Sequence, residues 1–159
     1  MAIAITLKEY LSNNNISYYE CTHEHSATAI ESARATHISS DVVVKAVLLS
    51  DGKDYLLAAL PANRRLAMTR LCDYVDRELD LASEDEIADI FRDCEVGAIP
   101  PAGEAYGIKV IWDDALSEPT GVYLEAGDHE TLLRVEHDDF LRLMGAAAHT
   151  SFSQTAPGY

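Results

Sequence analysis

Val42-Val43-Val44-Lys45-Ala46-Val47-Leu48-Leu49 is followed by Asp51-Gly52-Lys53 and then by Tyr55-Leu56-Leu57-Ala58-Ala59-Leu60. Two apolar runs of strand length around an Asp-Gly turn predict a β-hairpin, because glycine accepts the backbone angles of tight hairpin turns. Side chains alternate along a strand. Lys45 therefore shares a face with Val43, Val47 and Leu49, while Val42, Val44, Ala46 and Leu48 form the other. Both faces are apolar, as in a central strand covered on both sides. An unpaired ammonium in such a strand is costly. Either a carboxylate, an open pocket or a ligand compensates it, or the strand lies at an edge and Lys45 snorkels to solvent.

Outward from the hairpin, helices and strands intermix. Ser/Thr-x-x-Glu patterns, which satisfy the free N–H groups at a helix start, occur at Thr6 with Glu9, Thr28 with Glu31, and Ser83 with Glu86. They predict helices to about Ser12, over Ala29–Thr36 and over Glu84–Phe91. Two further helices are expected over Leu66–Val75 and Asp138–Met144. Strands are expected over Ile16–Cys21, Ile108–Trp112, Gly121–Leu124 and Leu132–Val135. This order predicts an α/β (α+β) domain with one central, mixed and curved sheet. Residues 1–144 form that domain. Residues 145–159, small and polar with no clear period, read as a flexible C-terminal tail.

The chain has 159 residues, 48% apolar and 25% charged, which suits one core. No apolar run is long enough to span a bilayer, and the N-terminus lacks the basic and small-residue features of a leader. A cytoplasmic protein with no membrane partner is expected. The three cysteines, Cys21, Cys72 and Cys94, are odd in number, so free thiols are expected. Twelve Lys and Arg against 27 Asp and Glu leave a net charge of −15. Such a surface repels polyanions at long range. Any nucleic-acid contact must be local, through a few cations in one pocket.

Two further segments carry possible chemistry. In Gly97-Ala98-Ile99-Pro100-Pro101, proline fixes the backbone and glycine permits close approach. The segment is either a plain connector or a rigid loop that aims peptide groups at a ligand. In Glu125-Ala126-Gly127-Asp128-His129-Glu130, a turn between strands could simply reverse the chain, or could bring His129 beside a pocket. A third set, Cys21, His23 and His25, has zinc-suited donors at period two, an awkward spacing for a tetrahedral site.

These pieces together resemble the YbaK/ProRS-insertion family. The lysine strand Val44–Leu49 and its partner Leu57–Ala62 are similar to that family's hairpin. Gly97–Pro101 is similar to its Gly-x-x-x-Pro loop, and Gly127-Asp128-His129 to its C-terminal Gly-x-His turn. The resemblance covers about residues 5 to 144. It implies a barrel-like mixed sheet, no cofactor and no metal. It also implies a free-standing aminoacyl-tRNA deacylase that hydrolyses the ester of a mischarged tRNA at the acceptor end. In that reading Lys45 and His129 are catalytic, and Gly97, Ala98, Ile99, Pro100, Pro101 and Gly127 bind substrate. With no Gly-x-Ser-x-Gly elbow present, direct attack by water is favoured over a covalent intermediate. Two other classes stay open. One is a non-catalytic module for an amino-acid-like ligand or for an aminoacyl-tRNA synthetase as partner. The other is a metal-binding hydrolase using Cys21, His23 and His25.

Overall fold

The hairpin forms where its turn chemistry places it. Strands β2 (Val43–Ser50) and β3 (Tyr55–Pro61) pair antiparallel, from Val44 opposite Pro61 to Ser50 opposite Tyr55. In the turn, Asp51 Oδ1 accepts the N–H groups of Lys53 and Asp54 at 2.9 and 2.7 Å. Gly52 there takes a φ of +92°.

The computed structural model describes residues 3–155. Around the hairpin stand α1 (Ile5–Asn13), β1 (Tyr19–Thr22), α2 (Ala29–Thr36), β4 (Arg64–Leu66), α3 (Met68–Val75), β5 (Asp80–Leu81) and α4 (Glu84–Ile90). The C-terminal half adds β6 (Lys109–Asp113), β7 (Gly121–Glu125), β8 (Thr131–Glu136), α5 (His137–Met144), β9 (Ala148–Thr150) and β10 (Ser153–Thr155). The main sheet runs β1-β8-β7-β2-β3-β6-β9, with β5 also on β2. It is mixed: β2 is parallel to β7, β3 to β6 and β6 to β9, and the other pairs are antiparallel. The fold is thus the single α/β domain with a mixed sheet that the intermixed elements predict. No helix among the described residues is long and apolar enough to cross a membrane.

Strand alternation builds the two faces of the sheet. Val44, Leu48, Leu57, Ala59, Val122, Leu124, Leu133 and Val135 point to one side, where α1 (Leu7, Leu11) and α5 (Phe140, Met144) cover them. The opposite side holds two separate clusters. Leu49, Leu56, Ala58 and Leu60 pack with Leu71 of α3 and with Phe152. Val43, Leu132 and Tyr123 pack with Ala29 and Ala33 of α2. By position on β2, Lys45 falls between these clusters, after Val43 and before Val47 and Leu49.

Two local expectations need correction. Thr6 does not cap the first helix. Ala4 is the residue at its start, and the Thr6 N–H donates to Asp93 Oδ2 at 2.8 Å. A carboxylate 87 positions away does the work assigned to the local side chain. The caps at Thr28 and Ser83 form, each hydroxyl accepting the N–H three residues on.

The reading of 145–159 as a loose tail also fails over its described part. β9 extends the sheet beside β6, and β10 pairs with β4. Between them Phe152 is fully buried; its N–H donates to Asp113 Oδ2 at 2.9 Å and its carbonyl accepts from the Ala67 N–H at 2.8 Å. One aromatic and two short strands anchor a segment whose composition gives no periodic signal. Residues 156–159 lie outside the described residues.

Candidate functional site

Lys45 opens into a cleft of about 480 Å³. Its floor is the β2 segment around Lys45 and Ala46 with the end of β7 at Glu125. One wall is the start of α2, including Thr28, Glu31 and Arg34, and the other is Gly97 and Ile99. The lysine strand and the Gly-Pro loop, 52 positions apart in the chain, therefore face the same space. Burial, and then the charge of nearby Arg65, hold the Lys45 ammonium below the usual lysine pKa. No carboxylate pairs with it among the described residues. Of the alternatives that the sequence left open, this is the pocket rather than the edge.

The loop is shaped from behind. Gly97 has a φ of +95°, and a Cβ there would lie 2.8 Å from the Ala27 carbonyl oxygen and 3.2 Å from His129 Cε1. Ala98, Pro100 and Pro101 are buried and do not line the cleft. They fix the path of the loop, leaving Gly97 and Ile99 to face the space.

His129 is not in the cleft lining. It is 4% exposed, and its Nε2–H donates to the Val96 carbonyl at 3.0 Å. The ring expected at the reacting centre packs behind the Gly97 loop instead of lining the cleft. Gly127 is also outside the lining, packed so that a Cβ would sit 3.1 Å from Cys94 Sγ and from Ala4 Cβ. The turn holding both is fixed by Asp128, whose Oδ1 accepts the N–H groups of Glu130 and Thr131 at 2.9 Å each. It is further stitched to the segment before α2 through Ser26 N–H to His129 O at 3.0 Å and His23 N–H to Glu130 O at 2.7 Å.

The residue missed in the sequence is Glu125. It was legible only as the first letter of a turn. In the structure it is 2% exposed, lines the cleft, and has no hydrogen-bond partner on either carboxyl oxygen. The Ser32 hydroxyl, which also meets Ser26 Oγ at 2.8 Å, is close enough to draw the Glu125 pKa down in part. Burial first, and the charge of Asp128 after it, push the Glu125 carboxyl up to about 7. A usable signal was present: a glutamate ending an otherwise apolar strand, Gly121-Val122-Tyr123-Leu124-Glu125.

The other candidate nucleophile and metal donors do not assemble. Burial, and then Asp93, push the Cys94 thiol up to about 12, so it stays protonated. Among the described residues no three His, Cys, Asp or Glu side chains converge as a metal site requires. Cys21, His23 and His25 separate: His23 Nδ1 meets the Glu24 carbonyl at 2.6 Å, and His25 Nε2 meets Glu95 Oε2 at 3.2 Å.

The profile of the aminoacyl-tRNA editing domain family matches residues 23–143, from the segment before α2 into α5. No curated protein sequence matches the chain. Among solved structures, a hypothetical protein superposes with a TM-score of 0.82 at 20% identity, covering 94% of this chain and 99% of its own. A proposed trans-editing enzyme for prolyl tRNA synthetase superposes at 0.82 and 21% identity, covering 96% and 97%. A proposed signal transduction protein from Marinobacter aquaeolei VT8 superposes at 0.74 and 21% identity, over 96% of this chain but 31% of that longer one. At these identities the likeness is one of fold.

Proposed function

The chain belongs to the aminoacyl-tRNA editing domain family, and from that premise we propose that it is a trans-acting deacylase, which hydrolyses the ester of a mischarged aminoacyl-tRNA in the cleft beside Lys45. The observation that carries this reading is the meeting of Lys45 with Gly97 and Ile99 around one space. The substrate is the acceptor end of a tRNA, the part of the molecule small enough to enter.

The chemistry is within reach of these groups. A water oxygen attacks the ester carbonyl carbon, the bond to the ribose oxygen breaks, and the terminal adenosine hydroxyl and a free amino acid leave. Negative charge collects on the carbonyl oxygen during attack. The Lys45 ammonium, half-buried and unpaired, supplies positive charge where water is partly excluded, so its effect is larger than in bulk solvent. Gly97 presents bare backbone to the aminoacyl group. Ala29, Ile30, Ala62 and Ile99 supply apolar surface that limits side-chain size. Selection by exclusion achieves what one methylene of binding energy, about 1–3 kcal/mol, cannot.

A deacylation screen over a panel of mischarged tRNAs tests the assignment. Wild type is expected to release at least one amino acid faster than the buffer does. Lys45→Ala is expected to lower that rate about 100- to 1,000-fold, with folding checked by circular dichroism. A Lys45→Ala protein as active as wild type sinks the mechanism. A wild type that hydrolyses none of the panel sinks the enzyme reading itself.

A further inference from the structure

Resting on the editing reading, we propose that Glu125 is the recognition residue for the free α-ammonium of the aminoacyl group, so that the cleft takes aminoacyl esters with an unmodified amine and rejects N-acylated ones.

The case begins with the sheet register. β2 and β7 are parallel, with Val43 beside Tyr123 and Val44 beside Leu124. Continued by one step, this register sets Lys45 next to Glu125 along the sheet, and both line the cleft. Neighbouring strands are about 4.8 Å apart, yet the ammonium and carboxyl make no ion pair among the described residues. Two groups of opposite character thus sit side by side on the cleft floor, each without a protein counter-charge.

Packing does not account for this carboxyl. At 2% exposure, with neither oxygen in a well-formed hydrogen bond and the Ser32 hydroxyl nearby, the carboxylate costs stability that an apolar side chain would not. A donor from outside the chain would relieve it. The ligand must be cationic to do so well, since charged donors form the stronger bonds to a carboxylate. Glu31, the other acid lining the cleft, is already committed: its Oε2 accepts the Ala27 N–H at 2.8 Å. The remaining charged groups of the lining, Lys45 and Arg34, repel a cation. Glu125 is therefore the place for one.

The spacing suits an aminoacyl ester. Its ammonium lies two bonds from the scissile carbonyl carbon, and the carbonyl leads on to the ribose. Seating the ammonium on Glu125 puts the carbonyl oxygen toward the neighbouring Lys45. The two side chains fix which end of the ligand points which way. Glu125 thus acts in binding and orientation, and Lys45 in the reaction.

Binding and hydrolysis of matched ligands separate this proposal from the one beneath it. The binding probe is a non-hydrolysable 3′-aminoacylamino-3′-deoxyadenosine, compared with its N-acetyl form by calorimetry on the full chain. The hydrolysis probe is the panel substrate cleaved fastest, compared with its N-acetylated form. Wild type is expected to prefer the free amine about 10- to 100-fold in both. Glu125→Gln, close in shape, is expected to bring the two forms within about threefold by losing only on the free amine. A merely structural glutamate would weaken both forms alike and leave the ratio unchanged. Equal use of both forms by wild type, which requires no variant, overturns the proposal while the editing reading stands. Amine-dependent binding that Glu125→Gln removes, without any hydrolysis, upholds Glu125 and overturns editing. Binding of neither form overturns the proposal.

Discussion

Glu125 and Lys45 sit one strand apart, and both departures from ordinary pKa have burial as the leading cause. Their consequences for stability differ from those of a solvent-facing pair. The folded chain holds the Glu125 proton up to about 7, whereas an unfolded chain releases it near 4.5. Between those values the folded state binds more protons, so its stability falls as pH rises through the window. The contribution is largest below the unfolded value and is lost above the folded one. The loss is on the order of 3 kcal/mol. The charged groups around it are Lys45 on β2, Glu31 and Arg34 on α2, and Asp128 in the turn beyond β7; Asp128 adds to the shift. Glu125→Gln is accordingly expected to be more stable than wild type at pH 8, and to lose that advantage at pH 4.5. Urea unfolding of both proteins at the two pH values measures it. An advantage unchanged between them would mean that the carboxyl does not titrate in the cleft.

Among elements, the Gly97 loop is the one whose conformation the site most depends on. Its residue faces the cleft with a positive φ and with the Ala27 carbonyl and the His129 ring close behind. Gly97→Ala meets both obstacles at once: a left-handed backbone that alanine dislikes and a Cβ 2.8 Å from backbone oxygen. The expected result is a loss of about 1–3 kcal/mol in stability together with at least tenfold slower deacylation, read by thermal unfolding and the tRNA assay. Unchanged values for both would show that the loop is free to shift. The loop and the lysine strand were legible in the sequence because each has a local reason for its residues. Proline and glycine mark the loop, and Asp51-Gly52 fixes the hairpin and with it the face on which Lys45 lies. The position of His129 was not legible. A Gly-x-His turn looks the same whether the ring enters a pocket or supports a loop, and only the packing against Val96 and Gly97 distinguishes the two.

At the scale of the whole molecule, a net charge of −15 must coexist with a polyanionic substrate. The structure sets a few cations at the cleft itself. Arg34 and Lys45 line the cleft, and Arg65 is near enough to act on the Lys45 proton. The rest of a tRNA gains little from approaching so acidic a surface. A minihelix carrying only the acceptor stem is therefore expected to be deacylated within about threefold of full-length tRNA in kcat/KM, with both rates falling as salt rises. A full-length substrate favoured more than tenfold would reveal a second RNA contact. The sequence alone determined the helices and the longer strands, the hairpin, the two-faced central strand and the lysine within it, since these depend on periods of a few residues and on turn chemistry; the short strands β4, β5, β9 and β10 carry no such period. It did not determine that Asp93 would satisfy the first helix, that Phe152 would pin the C-terminal strands, or that Glu125 would stand unpartnered beside Lys45. Each of those joins residues distant in the chain, and their energies exist only once the sheet order and the parallel β2–β7 register bring the groups within reach.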